Sequence, residues 1–422
     1  MNMHAQSQNT PAETALIDAF AERLSVLPGD GAVTVRRDDA VEALKAGLPT
    51  RRVESWHYTD LRRLLTSVPA FDQAATAKPL DPVIEGSHVL SVINGRLAQK
   101  TPSVDGVSVS KLSDKLTDGS FAPGMDLYGS DDAIGALNVA FVSDGYFIDI
   151  ADGAELDGPL ELQNLQAGGQ THVRFPVRVG AGAKATIVER QAGEVASLST
   201  SVSQLTVGGG AEVSWIIVQD QADTATHLAQ FKAHIGKDAR LTLFVMNAGG
   251  RLVRQEILVR TTGENSSFAL RGINLLAGDT HTDVTMVLDH AVPHTTSTEL
   301  IRNVVTGKAR GVFQGRINVH QYAQKTDAKM ACNTLLLSDD GEFSTKPELE
   351  IFADDVVCGH GATVTEIDRN HLFYLMARGI DEKTARGLLV KAFLAEVIEE
   401  LEDEKIVEAL ETRLDDWFAA HG

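Results

Sequence analysis

The sequence predicts a mainly β protein: a stack of β-coils with helical regions before and after it. Three observations carry this reading. Between about Gly145 and Thr363 the chain is rich in valine, isoleucine, threonine and glycine, with few helix signals and turn residues about every eight to fourteen positions. Within that stretch "VRVGAGAKATIVE", "LTVGGGAEVSWIIV" and "AHIGKDARLTLFV" share an apolar residue, a Gly-x-x-Ala step, a polar residue and an alternating strand, and their alanines Ala183, Ala211 and Ala239 are evenly spaced. A further equal step reaches Ser267, with the glycine moved to Gly263, and a looser echo follows at Ala309. Such a period, built from strands and tight turns alone, suits coils that bury their apolar rows against one another; an antiparallel sandwich needs no exact period. Finally, both flanks switch to helical spacing.

Taken in order, residues 1–80 read as an N-terminal helical region. Leu16, Phe20 and Leu24 recur four apart, a second helix-like run follows Asp38 with Val41, Leu44 and Ala46, and Pro49 interrupts it. "VESWHYTDLRRLL" resumes helical spacing through Leu61, Leu64 and Leu65, with Trp56 and Tyr58 crowding its entry. Residues 81–144 form a mixed segment whose stretches "HVLSVINGRL" and "GVSVSKL" look like short strands joined by Asn-Gly or Asp-Gly turns. The coil stack takes residues 145–363. Residues 364–422 return to helices: "DRNHLFYLMARGI" ends near Gly379, a second helix carries Leu389, Phe393, Val397 and Leu401, and a third carries Ile406, Leu410, Leu414 and Trp417 on one stripe. The acids between Glu396 and Asp416 read as solvated helix faces or as the rim of a docking surface.

Composition excludes several classes of function. A formal net charge of -20 and a pI near 5.0 repel nucleic acid and anionic membrane surfaces alike. No apolar run approaches the 18 or so residues a membrane span needs, and "MNMHAQSQNTPAETAL" lacks the pattern of a secretory leader, so the expected address is the cytoplasm. The two cysteines, Cys332 and Cys358, form no disulfide framework and no Cys-x-x-Cys pair, in keeping with a reducing compartment. The chain has no phosphate-binding loop, no His-Glu-x-x-His, no nucleophile elbow and no dinucleotide fingerprint, which argues against an enzyme of a common class. His290 and His294 are separated by Pro293, which breaks the helical turn that would join them as ligands, so both are expected to be solvated turn residues.

The stretch with reactive groups is "IFADDVVCGHGATV", Ile351 to Val364. In an extended segment residues i and i+2 share a face, so the Cys358 thiol and the His360 imidazole project side by side, a donor pair suited to iron or zinc. Two ligands do not close a site. Cys332 precedes Cys358 by slightly less than one repeat, and reads either as a third group one layer away or as a small core hydrophobe. A thiol nucleophile with its base is a weaker reading, because no orienting acid accompanies the pair. On residue types alone a packing role stands ahead of a metal role.

"KPELEIFADDVVCGHGATVTEIDRNHLFYLMARGI", Lys346 to Ile380, resembles the C-terminal signature of the SufB/SufD family of the SUF iron-sulfur cluster assembly system. "ESWHYTDL", Glu54 to Leu61, and "ALNVAFVSDGYFIDI", Ala136 to Ile150, resemble further landmarks of its SufD branch. The resemblance implies a right-handed parallel β-helix core flanked by N-terminal and C-terminal α-helical regions. It implies a non-catalytic subunit that pairs with a SufB-like paralogue through the β-helices and docks a SufC-like ATPase on the C-terminal helical domain. A chain made alone could also form a homodimer through the same edges. By the same resemblance His360 and its neighbour Cys358 face the partner and hold iron or a nascent cluster transiently, with no cofactor stably bound by this chain alone. SufB chains are typically longer and carry more cysteines, which sets the SufB-type reading second. A β-helix enzyme acting on acidic polysaccharide is the reading from another class, and the missing leader argues against it.

Overall fold

In the computed structural model, which describes residues 9–72, 74–98 and 101–421, successive strands from Asp144 onward alternate between two sheets instead of pairing with each other. Each strand pairs in parallel with the strand two places later, so two strands and two turns make one coil of a flattened solenoid. Among the described residues the first sheet has ten strands. It runs from Arg96–Leu97 and His88–Ile93 through Leu160–Leu165, Lys184–Ala192, Glu212–Gln219, Arg240–Asn247, Ser267–Leu276, Thr296–Val305 and Asp327–Leu336 to Val357–Thr365. The second has nine, from Val107–Lys111 and Asp144–Ile150 to Arg310–Val319 and Glu342–Ile351. The parallel β-helix expected from the repeat is therefore present, and the antiparallel sandwich is not.

The repeat has a backbone cause. At one lateral edge Gly182, Gly210 and Asp238 take positive φ, and the next residue, Ala183, Ala211 or Ala239, is fully buried under the turn. A methyl group fits there, and the left-handed residue before it turns the chain into the next strand. In the following coils Asn265 with Ser266, His294 with Thr295 and Lys325 with Thr326 take the same places. Ser266, one residue before the Ser267 that strict spacing selects, is thus the equivalent position. The echo at Ala309 belongs to the opposite edge, where Gly307 has positive φ and Ala309 is buried. Turns of adjacent coils touch: a Cβ on Gly263 would sit 1.8 Å from the Lys237 backbone nitrogen.

Inside the solenoid Val, Ile, Leu and Phe rows from both sheets interlock, including Trp215 against Phe231 at 5.2 Å between ring centroids. Beside them runs one amide per coil in register: Asn164, Gln191, Gln219, Asn247, Asn274 and Asn303. The Asn247, Asn274 and Asn303 side chains bond in series at 2.7 Å, and Asn303 Nδ2 donates to Thr334 Oγ1 at 3.0 Å and to Cys332 Sγ at 3.4 Å. These bonds fix the register of the coils, since a slip by one residue would bury unpaired amides.

Helices cover the outer faces. Thr10 caps Pro11–Arg23 through a reciprocal pair with Glu13, and Asp30 caps Gly31–Lys45, which begins well before the Asp38 start that periodicity suggested. "VESWHYTDLRRLL" forms only the short turns Glu54–Trp56 and Leu61–Leu64 because its aromatic and polar residues are used to dock on the second sheet. Trp56 stacks on the Arg254 guanidinium at 3.8 Å, Arg254 pairs with Asp283 at 2.6 Å and Glu256 at 3.0 Å, and Thr59 bonds Asp283 and His281. In the mixed segment the Asn94-Gly95 turn joins an antiparallel pair as expected, with both residues at positive φ. Its helix Ala133–Phe141 carried no periodic signal because it is buried all round; Arg37 caps it by donating to the carbonyls of Val139, Ala140 and Val142. At the other end Arg369–Met376, Glu382–Glu399 and Glu404–His421 cover the first sheet, with Val390, Leu394, Ile406, Leu410, Leu414 and Trp417 in one core with Ile216, Phe244 and Met246. None of the helices among the described residues is long and apolar enough to cross a membrane.

Candidate functional site

The strand Val357–Thr365 closes the first sheet, and Glu342–Ile351 closes the second, so both mark one open end of the solenoid. Val357–Thr365 pairs with Asp327–Leu336 on one side, and among the described residues no strand covers its other side. On Asp327–Leu336 burial alternates: Ala328, Met330 and Cys332 are buried, while Lys329 is exposed. Cys358 stands opposite Ala328 and His360 opposite Met330, so both continue the inward rows of the solenoid at the point where the next coil is missing. Cys358 is half-buried against the core, and His360 is exposed. Gly359 and Gly361 alternate with them on the outer face, where an added Cβ would meet nothing within 4 Å. The edge is also apolar: Phe352 and Val357 are 65% and 62% exposed, and Ile351 and Val364 join them.

The electrostatics separate the two thiols. Burial pushes the Cys358 thiol above its ordinary range, and Asp327, with Glu299 when it is ionised, acts the same way. Burial pushes Cys332 further, to about 11. Cys332 lies on the neighbouring strand but pairs with Ala362, four positions along from Cys358, so their backbones are about 13 Å apart along the strand direction alone. It is a core thiol receiving an amide bond from Asn303, and the structure does not bring it to the Cys358–His360 pair. Among the described residues no three His, Cys, Asp or Glu side chains are grouped to hold a metal ion, so Cys358 and His360 can supply only part of a coordination shell.

The other two histidines considered as ligands also part company. His294 is exposed and holds the positive φ of its turn, but His290 is fully buried, contrary to the expectation that both are solvated. Its Nδ1 bonds Thr295 at 2.7 Å and its Nε2 bonds Ser297 at 3.2 Å inside the solenoid, and burial lowers its pKa to about 4. Glu299, a buried acid in the row that leads to His360, was not singled out from the sequence. Alternation in "TSTELIRNVV" was the available signal, since Ser297, Glu299, Ile301 and Asn303 share one face.

Residues 162–393 match the family model described as SUF system FeS cluster assembly, SufBD core domain. The chain is 30% identical over 388 residues to the iron-sulfur cluster assembly protein SufD of Escherichia coli, covering 88% of this chain and 90% of that one. It is 28% identical to an iron-sulfur cluster assembly SufBD family protein of Synechocystis, over 91% of each chain, and 28% identical to a chloroplastic protein of Arabidopsis thaliana, over 96% and 91%.

Proposed function

Since the chain belongs to the SufB/SufD family of the SUF iron-sulfur cluster assembly system and is a SufD homologue, we propose that it is the non-catalytic SufD-type subunit of a cytoplasmic assembly scaffold. In this reading it pairs with a SufB-like paralogue through the open end of the solenoid. The observation that carries the proposal is the position of His360: an exposed imidazole on an uncovered edge strand, in an inward row, beside a half-buried thiol. A second solenoid placed on this end would enclose both groups and complete their shell. The incomplete donor set supports a shared site in which iron, or a nascent cluster, is cargo held between chains and not a resident cofactor.

The C-terminal helices are the proposed seat of the SufC-like ATPase. Phe373 and Tyr374 on Arg369–Met376 are 72% and 56% exposed, and Met376 on the same helix and Leu388 on Glu382–Glu399 are exposed as well. Exposed large apolar side chains on two consecutive helices suit a protein contact. Nucleotide hydrolysis would then belong to that partner, in keeping with the missing phosphate loop, and its motion would reach the edge through the first sheet, to which Arg302 and Arg271 tie Glu396 and Glu400 of these helices.

Co-expression with SufB-type and SufC-type chains tests the reading. One stable complex on size exclusion is expected, and a chain that elutes apart from both counts against it.

A further inference from the structure

Glu299 lies in the inward row that runs Leu270, Glu299, Met330, His360 through four adjacent strands. It is 2% exposed, and among the described residues no group meets either carboxyl oxygen in full hydrogen-bond geometry, although the Ser297 hydroxyl lies near enough to act on it. Packing gives no reason for an acid there, since its row neighbours Leu270 and Met330 are apolar. Burial pushes its carboxyl up to about 8, with the Ser297 hydroxyl and the Arg271 guanidinium pulling the other way.

The groups around it do not neutralise an ionised form. Arg271 is on the outer face, engaged with Glu400 and Thr298. Ser297 is within bonding distance of His290 Nε2 at 3.2 Å, and burial keeps His290 neutral near pH 7. Cys332 is a buried neutral thiol, and Asp327, which flanks Cys358 from the adjoining strand, adds only negative charge. The facing strand of the second sheet presents Phe313 and Ile317 to the interior. Two strand steps place the Glu299 backbone about 10 Å from that of His360, with Met330 between them. That is too far for a shared ligand and close enough for charges to couple through a poorly solvated interior.

We propose that Glu299 is the internal counter-charge of the site at His360 and Cys358: a neutral carboxyl while the site is empty, which gives up its proton when a divalent cation is held there. The inference rests on the reading of His360 as a metal donor. In the step the carboxyl O–H bond breaks, the proton passes to solvent and the electron pair stays on the carboxylate. The interior gains one negative charge against the cation, and nothing is oxidised or reduced.

The test uses cobalt(II) as the probe, added anaerobically to the full-length chain co-purified with its SufB-type partner. Infrared difference spectra read the carbonyl stretch of a protonated carboxyl. Near neutral pH the wild type shows a band absent from Glu299→Gln, and cobalt removes it. Glu299→Gln binds cobalt about tenfold more weakly and releases about one proton fewer per ion bound. Glu299→Met, which continues the apolar row, behaves as Glu299→Gln does and guards against a folding defect of the amide. If the wild type binds cobalt through His360 and keeps the band, or shows no such band, the inference is overturned while the metal reading stands. If cobalt does not bind, or binds equally well to His360→Ala, the metal reading falls and this inference with it.

Discussion

Cys358 and His360 stand two apart on one strand, and their shared face was legible from that spacing. Which face they share was not, because it depends on the pairing of His360 with Met330 and Cys358 with Ala328. The same register removes Cys332 from the site: a separation of nearly one repeat suggested adjacent layers, but the strands pair four positions out of step for the two thiols. Glu299 was legible only in part, since alternation gives its face while its near-complete burial without a well-aligned hydrogen bond is a property of the packed interior. At this scale we expect Cys358→Ala to cost no more than about 1.5 kcal/mol in denaturant unfolding, because a small, half-buried side chain leaves little cavity. Its loss of bound iron in the complex should be smaller than that of His360→Ala. A larger unfolding cost would show that the thiol holds the edge strand in place.

Among the elements, the N-terminal motif "ESWHYTDL" is a clasp. Its helical spacing misled because Trp56 and Thr59 are placed to meet Arg254 and Asp283, a constraint that local periodicity does not express. Arg254 and Asp283 are both fully buried, so removing one partner leaves an uncompensated charge. Arg254→Ala should therefore destabilise the protein by about 3 kcal/mol or more, read as a shift of the urea midpoint. The C-terminal helices were legible in full where one face is buried, as Ile406, Leu410, Leu414 and Trp417 show. The exposed face of Arg369–Met376 carries a separate prediction. Phe373→Glu with Tyr374→Glu should abolish co-elution with the ATPase while leaving the melting temperature within a few degrees, because neither side chain is in the core. Retained co-elution would place the docking surface elsewhere.

For the whole molecule, the even spacing of Ala183, Ala211 and Ala239 made the solenoid legible, since it is imposed by the left-handed turn residues and the small buried residues after them. Where the turns lengthen, at His294 and Lys325, the period drifts and the sequence loses it, although the coils continue. The interior also sets an acid limit. Burial lowers His172 and His227 to about 3 and His290 to about 4, from an ordinary value of 6.5. Each of these folded-state values lies below the unfolded one, so the unfolded chain binds more protons across the interval. Their contribution is fully present above about pH 6.5 and is lost as pH falls toward 4 and 3. Glu299 acts in the opposite sense, its raised value eroding stability as pH rises from 4.5 toward 8. Substitution isolates one of these groups: Glu299→Gln should hold its urea midpoint better than the wild type as pH rises from 4.5 toward 8.

The central claim is that His360, on the uncovered edge of the solenoid, holds cargo at an interface between two chains. Iron and sulfide content of the anaerobically purified complex with its SufB-type and SufC-type partners tests it most directly, comparing wild type, His360→Ala and Cys332→Ala. The prediction is that His360→Ala assembles normally but retains about tenfold less iron and sulfide, while Cys332→Ala matches the wild type. Equal iron and sulfide in the intact His360→Ala and wild-type complexes would contradict the claim.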